Sequence, residues 1–403
     1  MRCNKWTLAL VGAGFVSLPS LASAEEHPNS VLTSLSPTTI SGYVDTSMEW
    51  NPGTGNQNLP LYTPNGAPSG SKADGFNLDS VALTISKPVG EGEWSAGYNA
   101  TLLFGPDAVG FNNSIGTPPT SDFALVDAYV ILRAPVGNGL DFKIGTFASP
   151  LGYEVYQAGN NPNYTRSYGY ELEPTQLTGI QMAYQFNSIV SANVGVVNTW
   201  SAGINNRASQ PYGPKPEGYE TYVGSFTLTA PDSLGFLSGS TLTGAIINGD
   251  NSLYPSTTIG QNGITETSFY AGGTIKTPLK WLSVGVAFDY ECLGPNRVAG
   301  VINNSGYQNA WGGYLLIQPT EKLSFNFRGE YLSQSTYLAA ASNGGLPGQA
   351  LELTASIQYD LWKNVLTRAE FRWDHALNGS DPWGAAPSLD NAYLLALNII
   401  YKF

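Results

Sequence analysis

The chain has 403 residues, of which 12% are charged, and its formal net charge is −12. A soluble domain usually contains about 25% charged residues, roughly twice this share. Gly (46 residues) and Tyr (23 residues), together with Thr, Ser and Asn, take the place of the missing charges. This composition is typical of β-strands joined by turns. It disfavours a helical protein, and no nucleic-acid partner is expected.

The first 24 residues have the pattern of a secretory signal peptide. Arg2 and Lys5 give a basic start, Trp6–Leu18 is apolar, and Ala22-Ser23-Ala24 is a small-residue cleavage site. A membrane anchor is the alternative, but the apolar run is short and no stop-transfer charge follows it. We therefore expect residues 1–24 to be removed on export.

The expected mature chain begins with a short periplasmic lead-in, residues 25–37, followed by one domain, residues 38–403. Loss of Arg2 and Lys5 changes its formal charge from −12 to about −14. Cys292 is then its single cysteine, so an internal disulfide is excluded and no Cys/His metal spacing remains. No stretch of this region approaches the roughly 18 to 20 apolar residues of a spanning helix.

The mature chain alternates short and long connectors between β-type segments. We predict about 16 strands of about 8 to 12 residues, strung as hairpins with tight turns on one side and longer loops on the other. The predicted strands, in chain order, are 39–50, 76–86, 94–104, 123–133, 140–147, 177–186, 189–200, 219–229, 241–248, 266–276, 281–290, 307–318, 323–332, 350–360, 365–373 and 392–403.

Several of these strands have one apolar face and one charged face. Successive strand residues point to opposite faces. In the strand that starts at residue 365, one face carries Val365, Thr367, Ala369, Phe371 and Trp373. The other face carries Arg368, Glu370, Arg372 and Asp374.

A soluble β-sandwich shows the same alternation, so the strand ends and connectors decide between the two folds. Aromatic residues recur at the ends of the predicted strands, as in the interfacial girdles of membrane proteins. They are Trp50, Trp94, Trp200, Trp281, Trp373 and Tyr393. A β-helix is disfavoured because no short repeat of fixed period is present. The sequence therefore predicts an all-β fold, a transmembrane antiparallel up-and-down β-barrel with short periplasmic turns and long extracellular loops.

The last segment, "AYLLALNIIYKF" (residues 392–403), is apolar or aromatic at every second position counted back from Phe403. In a barrel the last strand pairs with the first, because an open sheet edge cannot be exposed to lipid. We therefore expect its outward side chains to contact membrane lipid. The terminal Phe403 resembles the signal by which the barrel assembly machinery recognises its substrates.

The segment from Gly139 to Gly179 reads G-x-D-x-x-x-G, then P-x-G-x-E, N-P-x-Y-x-R-S and a T-G strand. It resembles the OmpL-like family of β-barrel porins from Gram-negative outer membranes. The "ISGYVDTSMEW" start and the aromatic end are also similar, so the resemblance spans the mature chain. It implies a barrel with a pore in the outer membrane and supplies no substrate.

The longest predicted loop, residues 149–174, joins the fifth and sixth strands. In porins of about sixteen strands the third long loop enters the lumen and narrows it, and paired charges with aromatic rings suit such a constriction. The alternative is a surface loop that caps the barrel mouth. Its aromatic and charged residues are Tyr153, Glu154, Tyr156, Tyr164, Arg166, Tyr168, Tyr170, Glu171 and Glu173.

The wall opposite this loop is expected to carry complementary charges. Arg328, Arg368, Glu370 and Arg372 lie on the polar faces of the thirteenth and fifteenth predicted strands. We expect the three arginines to face the loop acids and to set up a transverse field across a wet passage. Cross-strand ion pairs are the alternative for each of them. The net acidity favours cations or neutral solutes, although the arginines could reverse this locally.

Catalysis receives little support from the sequence. His27 and His375 are the two histidines; His375 follows Asp374, so a barrel-borne hydrolase would have to use this pair. No G-x-S-x-G elbow accompanies it, and we expect no enzyme, no cofactor and no metal. A filled barrel acting as a structural or adhesive surface protein is the other alternative. We predict a passive diffusion channel for small hydrophilic solutes or ions, and a homotrimer is left open.

Overall fold

The computed structural model describes residues 38–60, 72–90, 92–108, 111, 122–200, 203–205, 209–210, 213–214, 221–250, 265–294, 296–298, 301–303, 305–335, 347–385 and 388–403. The predicted signal peptide and lead-in lie outside these residues. Sixteen strands close into one antiparallel barrel. They are β1 (Thr39–Trp50), β2 (Gly75–Lys87), β3 (Ser95–Phe104), β4 (Phe123–Ala134), β5 (Leu140–Ala148), β6 (Gln176–Gln185), β7 (Val190–Val197), β8 (Thr221–Thr229), β9 (Thr241–Asp250), β10 (Thr265–Lys276), β11 (Leu282–Leu293), β12 (Gly306–Ile317), β13 (Leu323–Gln334), β14 (Gln349–Trp362), β15 (Val365–Ala376) and β16 (Asn391–Lys402).

Each strand pairs with its sequence neighbours, and the predicted closure between the last strand and the first is confirmed. β16 pairs with β1 in a register that places Tyr43 opposite Lys402. The Gly42 N–H donates to the Phe403 carbonyl at 2.9 Å, and the Phe403 N–H donates back at 3.0 Å. A Cβ atom on Gly42 would lie 2.6 Å from the Phe403 ring and would clash with the Ala82 carbonyl oxygen. The junction between β16 and β1 therefore requires glycine at position 42.

The connectors follow the predicted asymmetry. The turns at one end of the barrel are 88–94, 135–139, 186–189, 230–240, 277–281, 318–322 and 363–364, and the connectors at the other end are longer. The described residues also include a short helix, α1 (Tyr168–Leu172), and 3-10 turns at Pro106–Ala108, Ala158–Asn160 and Asp232–Leu237. Two small hairpins pair Ser209–Gln210 with Gly213–Pro214 and Asn296–Val298 with Val301–Asn303. No helix in the described part of the chain is long and apolar enough to cross a bilayer.

The exposure of the two faces of the barrel wall is the reverse of that in a soluble protein. On β16 the outward residues Leu397 and Ile399 are 56% and 51% exposed, whereas the inward Asn398 is 1% exposed. On β15 the charged residues Arg372 and Asp374 are buried on the inner face. A soluble sandwich would bury the apolar set instead. An apolar outer band of this kind is suited to hydrocarbon.

Two aromatic residues depart from the predicted girdle. Trp50 and Trp94 are exposed on the outside, as the girdle prediction requires. Trp281 is exposed too, but it lines space inside the barrel together with Ser283. Trp200, in contrast, is buried, because β7 ends at Val197 and the chain then turns inward. Its indole Nε1–H donates to Ser268 Oγ at 2.9 Å. The prediction that Trp200 ends a strand at the interface was wrong.

We expect a charge on the outward face of β16 to destabilise the barrel. Leu397→Arg places a guanidinium near the middle of the apolar band, where an arginine costs about 2–4 kcal/mol. Phe236→Arg is the matched control, because Phe236 is equally exposed but lies in the 230–240 turn. Urea titration of both variants in lipid vesicles, followed by tryptophan fluorescence, measures the difference. Equal stabilities would contradict a lipid-facing position for Leu397.

Candidate functional site

The segment joining β5 to β6, residues 149–175, lies inside the barrel, and we call it the inner loop. The Tyr164 hydroxyl donates to Glu49 Oε1 of β1 at 2.6 Å. The Tyr168 hydroxyl donates to Asp374 Oδ1 of β15 at 2.6 Å. The Tyr153 hydroxyl is hydrogen-bonded to Thr274 of β10 at 2.9 Å. The inner loop therefore contacts inward-facing side chains on separate parts of the wall.

Arg328 of β13 is the central anchor of this loop. Its Nη1 lies 2.8 Å from Glu154 Oε1 of the loop, and its Nε lies 3.1 Å from Glu352 Oε2 of β14. Nη1 also donates to the Thr165 carbonyl at 2.8 Å. All three charged side chains are fully buried. Buried charges are tolerated when they are paired and hydrogen-bonded in this way.

Barrel carboxylates hold the loop main chain as well. Glu370 of β15 accepts the N–H groups of Tyr164 and Thr165 at 2.5 and 2.9 Å, and the Thr165 hydroxyl at 2.6 Å. Glu330 of β13 accepts the Tyr168 N–H at 2.7 Å. Charge-assisted bonds of this type are about twice as strong as neutral ones. The loop is thus fixed through its backbone as much as through its side chains.

The other two predicted arginines contact carbonyl groups of the loop. Arg372 forms a bidentate pair with Asp374 of its own strand and donates to the Arg166 carbonyl at 2.6 Å. Arg368 donates to the Asn161 carbonyl at 3.0 Å. Both side chains are buried. These arginines therefore anchor the loop, and their predicted part in selecting solutes stays a prediction.

The remaining predicted loop residues pack against one another or against the wall. Arg166 is fully buried and donates to the carbonyls of Tyr156 and Tyr164. The Tyr156 hydroxyl lies 3.5 Å from Asp127 of β4. The Tyr153 ring stacks on Tyr314 of β12 with the ring centroids 4.2 Å apart.

Sequence reasoning missed Lys72, which precedes β2 and joins three loops. Its Nζ lies 2.6 Å from Asp107 in the β3–β4 connector and 3.1 Å from Asp79 of β2. It also lies 3.5 Å from the Tyr164 hydroxyl of the inner loop. Lys72 is the one lysine in the β1–β2 connector, and this isolated charge was the feature that could have marked it as a candidate residue. Nothing in the sequence indicated that it points into the barrel.

Open space remains between the inner loop and the wall near the short-turn end. This cavity has a volume of about 520 Å³. The loop contributes residues 152–153 and 159–162, and the wall contributes residues from β9 to β14. Most of its surface is polar. We call it the turn-end cavity.

His375 is not placed for nucleophilic catalysis. It points to the face of β15 opposite Asp374, since adjacent strand residues alternate. Its Nδ1 lies 3.1 Å from Asn391 Oδ1, and its ring stacks on Trp373. Asp374 instead pairs with Arg372. Among the described residues, no group of three or more His, Cys, Asp or Glu side chains is arranged to hold a metal ion.

We expect Arg328→Met to destabilise the folded barrel by about 3–5 kcal/mol, because it leaves Glu154 and Glu352 as buried charges without their partner. Arg133→Met is the matched control, since the Arg133–Asp141 pair at 2.6 Å is partly exposed and such pairs contribute about 1 kcal/mol or less. Equilibrium folding in urea measures both variants. Similar losses for the two variants would show that the buried network is not an anchor.

Two carboxyl groups of the inner loop are protonated more readily than usual. Burial, followed by the neighbouring Asp289, raises the pKa of Glu173 well above its usual range. Burial raises the pKa of Glu171 to about 8. Ionisation of Glu173 would place a negative charge beside Asp289 in the buried interior.

A folded-state pKa above the unfolded value stabilises the fold at low pH, and this contribution is lost as pH rises through the folded-state pKa. We therefore expect a lower unfolding temperature at about pH 9 than at about pH 6. The double variant Glu171→Gln, Glu173→Gln should show a smaller difference, and Glu321→Gln in an exposed turn should behave as the wild type. Circular dichroism in detergent measures all three. An equal pH difference in all of them would exclude these two groups as its source.

Solved structures with similar folds include an outer-membrane channel and another outer-membrane protein. Each of the following structures aligns with 91% of the present chain. The channel DcaP of Acinetobacter baumannii gives a TM-score of 0.57 at 12% identity over 97% of that chain. OmpF of Salmonella typhi gives 0.58 at 12% identity over 97%, and OmpT of Vibrio cholerae gives 0.53 at 11% identity over 97%. Identities this low show a shared fold and no more.

Similarity in sequence, rather than in fold, shows the family of the chain. No curated protein sequence matches the chain. The model of the family described as "Putative beta-barrel porin-2, OmpL-like" matches residues 37–403, which is almost the whole of the sequence. The closed barrel, its apolar outer band and its polar interior agree with this match. The chain therefore belongs to the OmpL-like family of outer-membrane β-barrel porins.

Proposed function

We propose that this porin is a passive diffusion channel for small hydrophilic solutes or ions, and that the inner loop narrows its lumen. A sixteen-stranded barrel encloses more space than its own inward side chains fill. The observation that carries the proposal is the position of the loop. It is anchored by Arg328 and Glu370 on β13 and β15, while polar space remains beside it.

The loop is suited to a fixed constriction rather than a mobile lid. Its anchors include salt bridges, main-chain hydrogen bonds and the stacked pair Tyr153–Tyr314. Charges and rings held in this way keep a constant cross-section, so solutes would be selected by size and by the groups along the remaining space. Such a channel needs no cofactor and catalyses no reaction.

The protein is expected to act in the outer membrane as an assembly of copies. One similar structure, OmpT of Vibrio cholerae, is described as a trimer form. We propose a homotrimer for this chain by analogy. We also propose that the strand ending at Phe403 directs it to the barrel assembly machinery. The lipid-facing side chains of β16 are consistent with insertion after export.

A filled barrel with a structural or adhesive role is the second candidate. It is favoured by one observation, the complete burial of several large loop and wall side chains. These are Arg166, Tyr168, Arg328 and Arg372. A lumen packed throughout in this manner would not conduct, so conductance separates the two functions.

We expect wild-type protein in planar lipid bilayers to form channels, and deletion of residues 156–168 to raise the single-channel conductance, because the segment occupies the lumen. Deletion of Asp232–Leu237, a short segment of the β8–β9 turn without buried residues, is the control and should change conductance less. Conductance that the 156–168 deletion leaves unchanged would remove the constriction. Wild-type protein that folds but never conducts would favour the filled barrel.

A further inference from the structure

The turn-end cavity has an unexpected electrostatic character for an acidic protein. Its described lining contains two charged residues, Lys276 at the end of β10 and Lys280 in the following turn. Both side chains are exposed, so their charges face the aqueous space. The net charge of −12 for the whole chain therefore does not describe the charge at this place.

Two acidic groups that contact the loop, Glu154 and Glu370, are engaged away from the cavity, whereas Glu173 lies behind Gly152 and Asp289 lies opposite Tyr270 of the lining. Glu154 pairs with Arg328, and Glu370 is occupied by two loop N–H groups. At the loop residues that line the cavity, Lys402 Nζ donates to the Gly159 carbonyl at 3.0 Å. Arg368 donates to the Asn161 carbonyl at 3.0 Å. Two further positive charges thus lie behind the loop residues that line the cavity, with Asp360 near Lys402 as an acidic neighbour.

The uncharged lining supplies hydrogen-bonding groups and three aromatic residues. Hydroxyl groups come from Thr243, Thr274 and Ser283, and the aromatic residues are Tyr153, Tyr270 and Trp281. Lys276 Nζ donates to Ser283 Oγ at 3.3 Å. An ammonium group has three N–H donors, so this bond leaves donors for a solute. Volumes between about 300 and 1,000 Å³ are usual for small-molecule sites.

We propose that the turn-end cavity is a binding site for small hydroxylated organic anions, with Lys276 and Lys280 holding the carboxylate and the hydroxyl and amide groups holding the solute's hydroxyls. The proposal rests on the channel function above and gives it a substrate class. It reverses the cation or neutral preference that the net charge favours, because local lysines, rather than distant acids, meet a solute in this space.

The test uses three open-chain probes with similar size and hydroxyl content, namely gluconate (anionic), sorbitol (neutral) and glucamine (cationic). Single-channel current is recorded in planar bilayers with each probe added to either side. We expect gluconate to interrupt the current at concentrations where sorbitol and glucamine do not. The double variant Lys276→Gln, Lys280→Gln should weaken this block by about tenfold, as expected when two partly solvated charges are removed. Lys322→Gln, an exposed turn lysine outside the cavity lining, should block as the wild type does.

A second measurement separates this proposal from the channel itself. Isothermal titration of gluconate into the detergent-solubilised barrel reports binding even without conduction. In one outcome the wild type binds gluconate without ever conducting, while the double variant does not bind it. That result would contradict the channel function and support the anion site. The anion site would be overturned if gluconate and sorbitol affected the current equally, or if the double variant were still blocked by gluconate. Either result would leave the channel function supported.

Discussion

The whole structure depends on one constraint, that backbone N–H and C=O groups in hydrocarbon must be paired within the protein. An antiparallel sheet meets it only when its first and last strands join, and the hydrogen bonds between Gly42 and Phe403 complete that junction. Once the wall is closed, its outward side chains meet lipid and must be apolar. Polar residues are thereby directed to the interior, where water or a folded-in segment has to satisfy them.

Several buried charges inside this barrel are paired with other groups of the protein. Arg328 is shared by Glu154 and Glu352, and Glu370 is bonded to two loop N–H groups. Side chains that the sequence pattern assigns to a wet lumen thus become the anchors of the inner loop. The turn-end cavity lies beside this loop, and β13 and β14 both anchor the loop and line the cavity. One part of the wall therefore both holds the loop and borders the open space.

The wall could be predicted from the sequence because its rules are local. Alternation within β15 placed Arg368 and Arg372 inward, and the connector lengths gave sixteen strands and their order. The contacts of the inner loop follow a different rule, since they join residues far apart in the chain. Nothing near Lys72 indicates Asp107, and nothing near Trp200 indicates Ser268. The position of Lys276 and Lys280 in a cavity depends on where the loop leaves room, which no strand pattern encodes.

The partners of the inner loop also bear on the order of folding. Tyr168 is bonded to Asp374, 206 residues further along the chain, and Tyr164 to Glu49, 115 residues earlier. Contacts between such distant positions form late, because large loops must close first. The segment therefore cannot settle until the C-terminal strands arrive beside β1. Placement of the inner loop is in this way coupled to the pairing of β16 with β1, so a half-built barrel would still lack its folded-in segment.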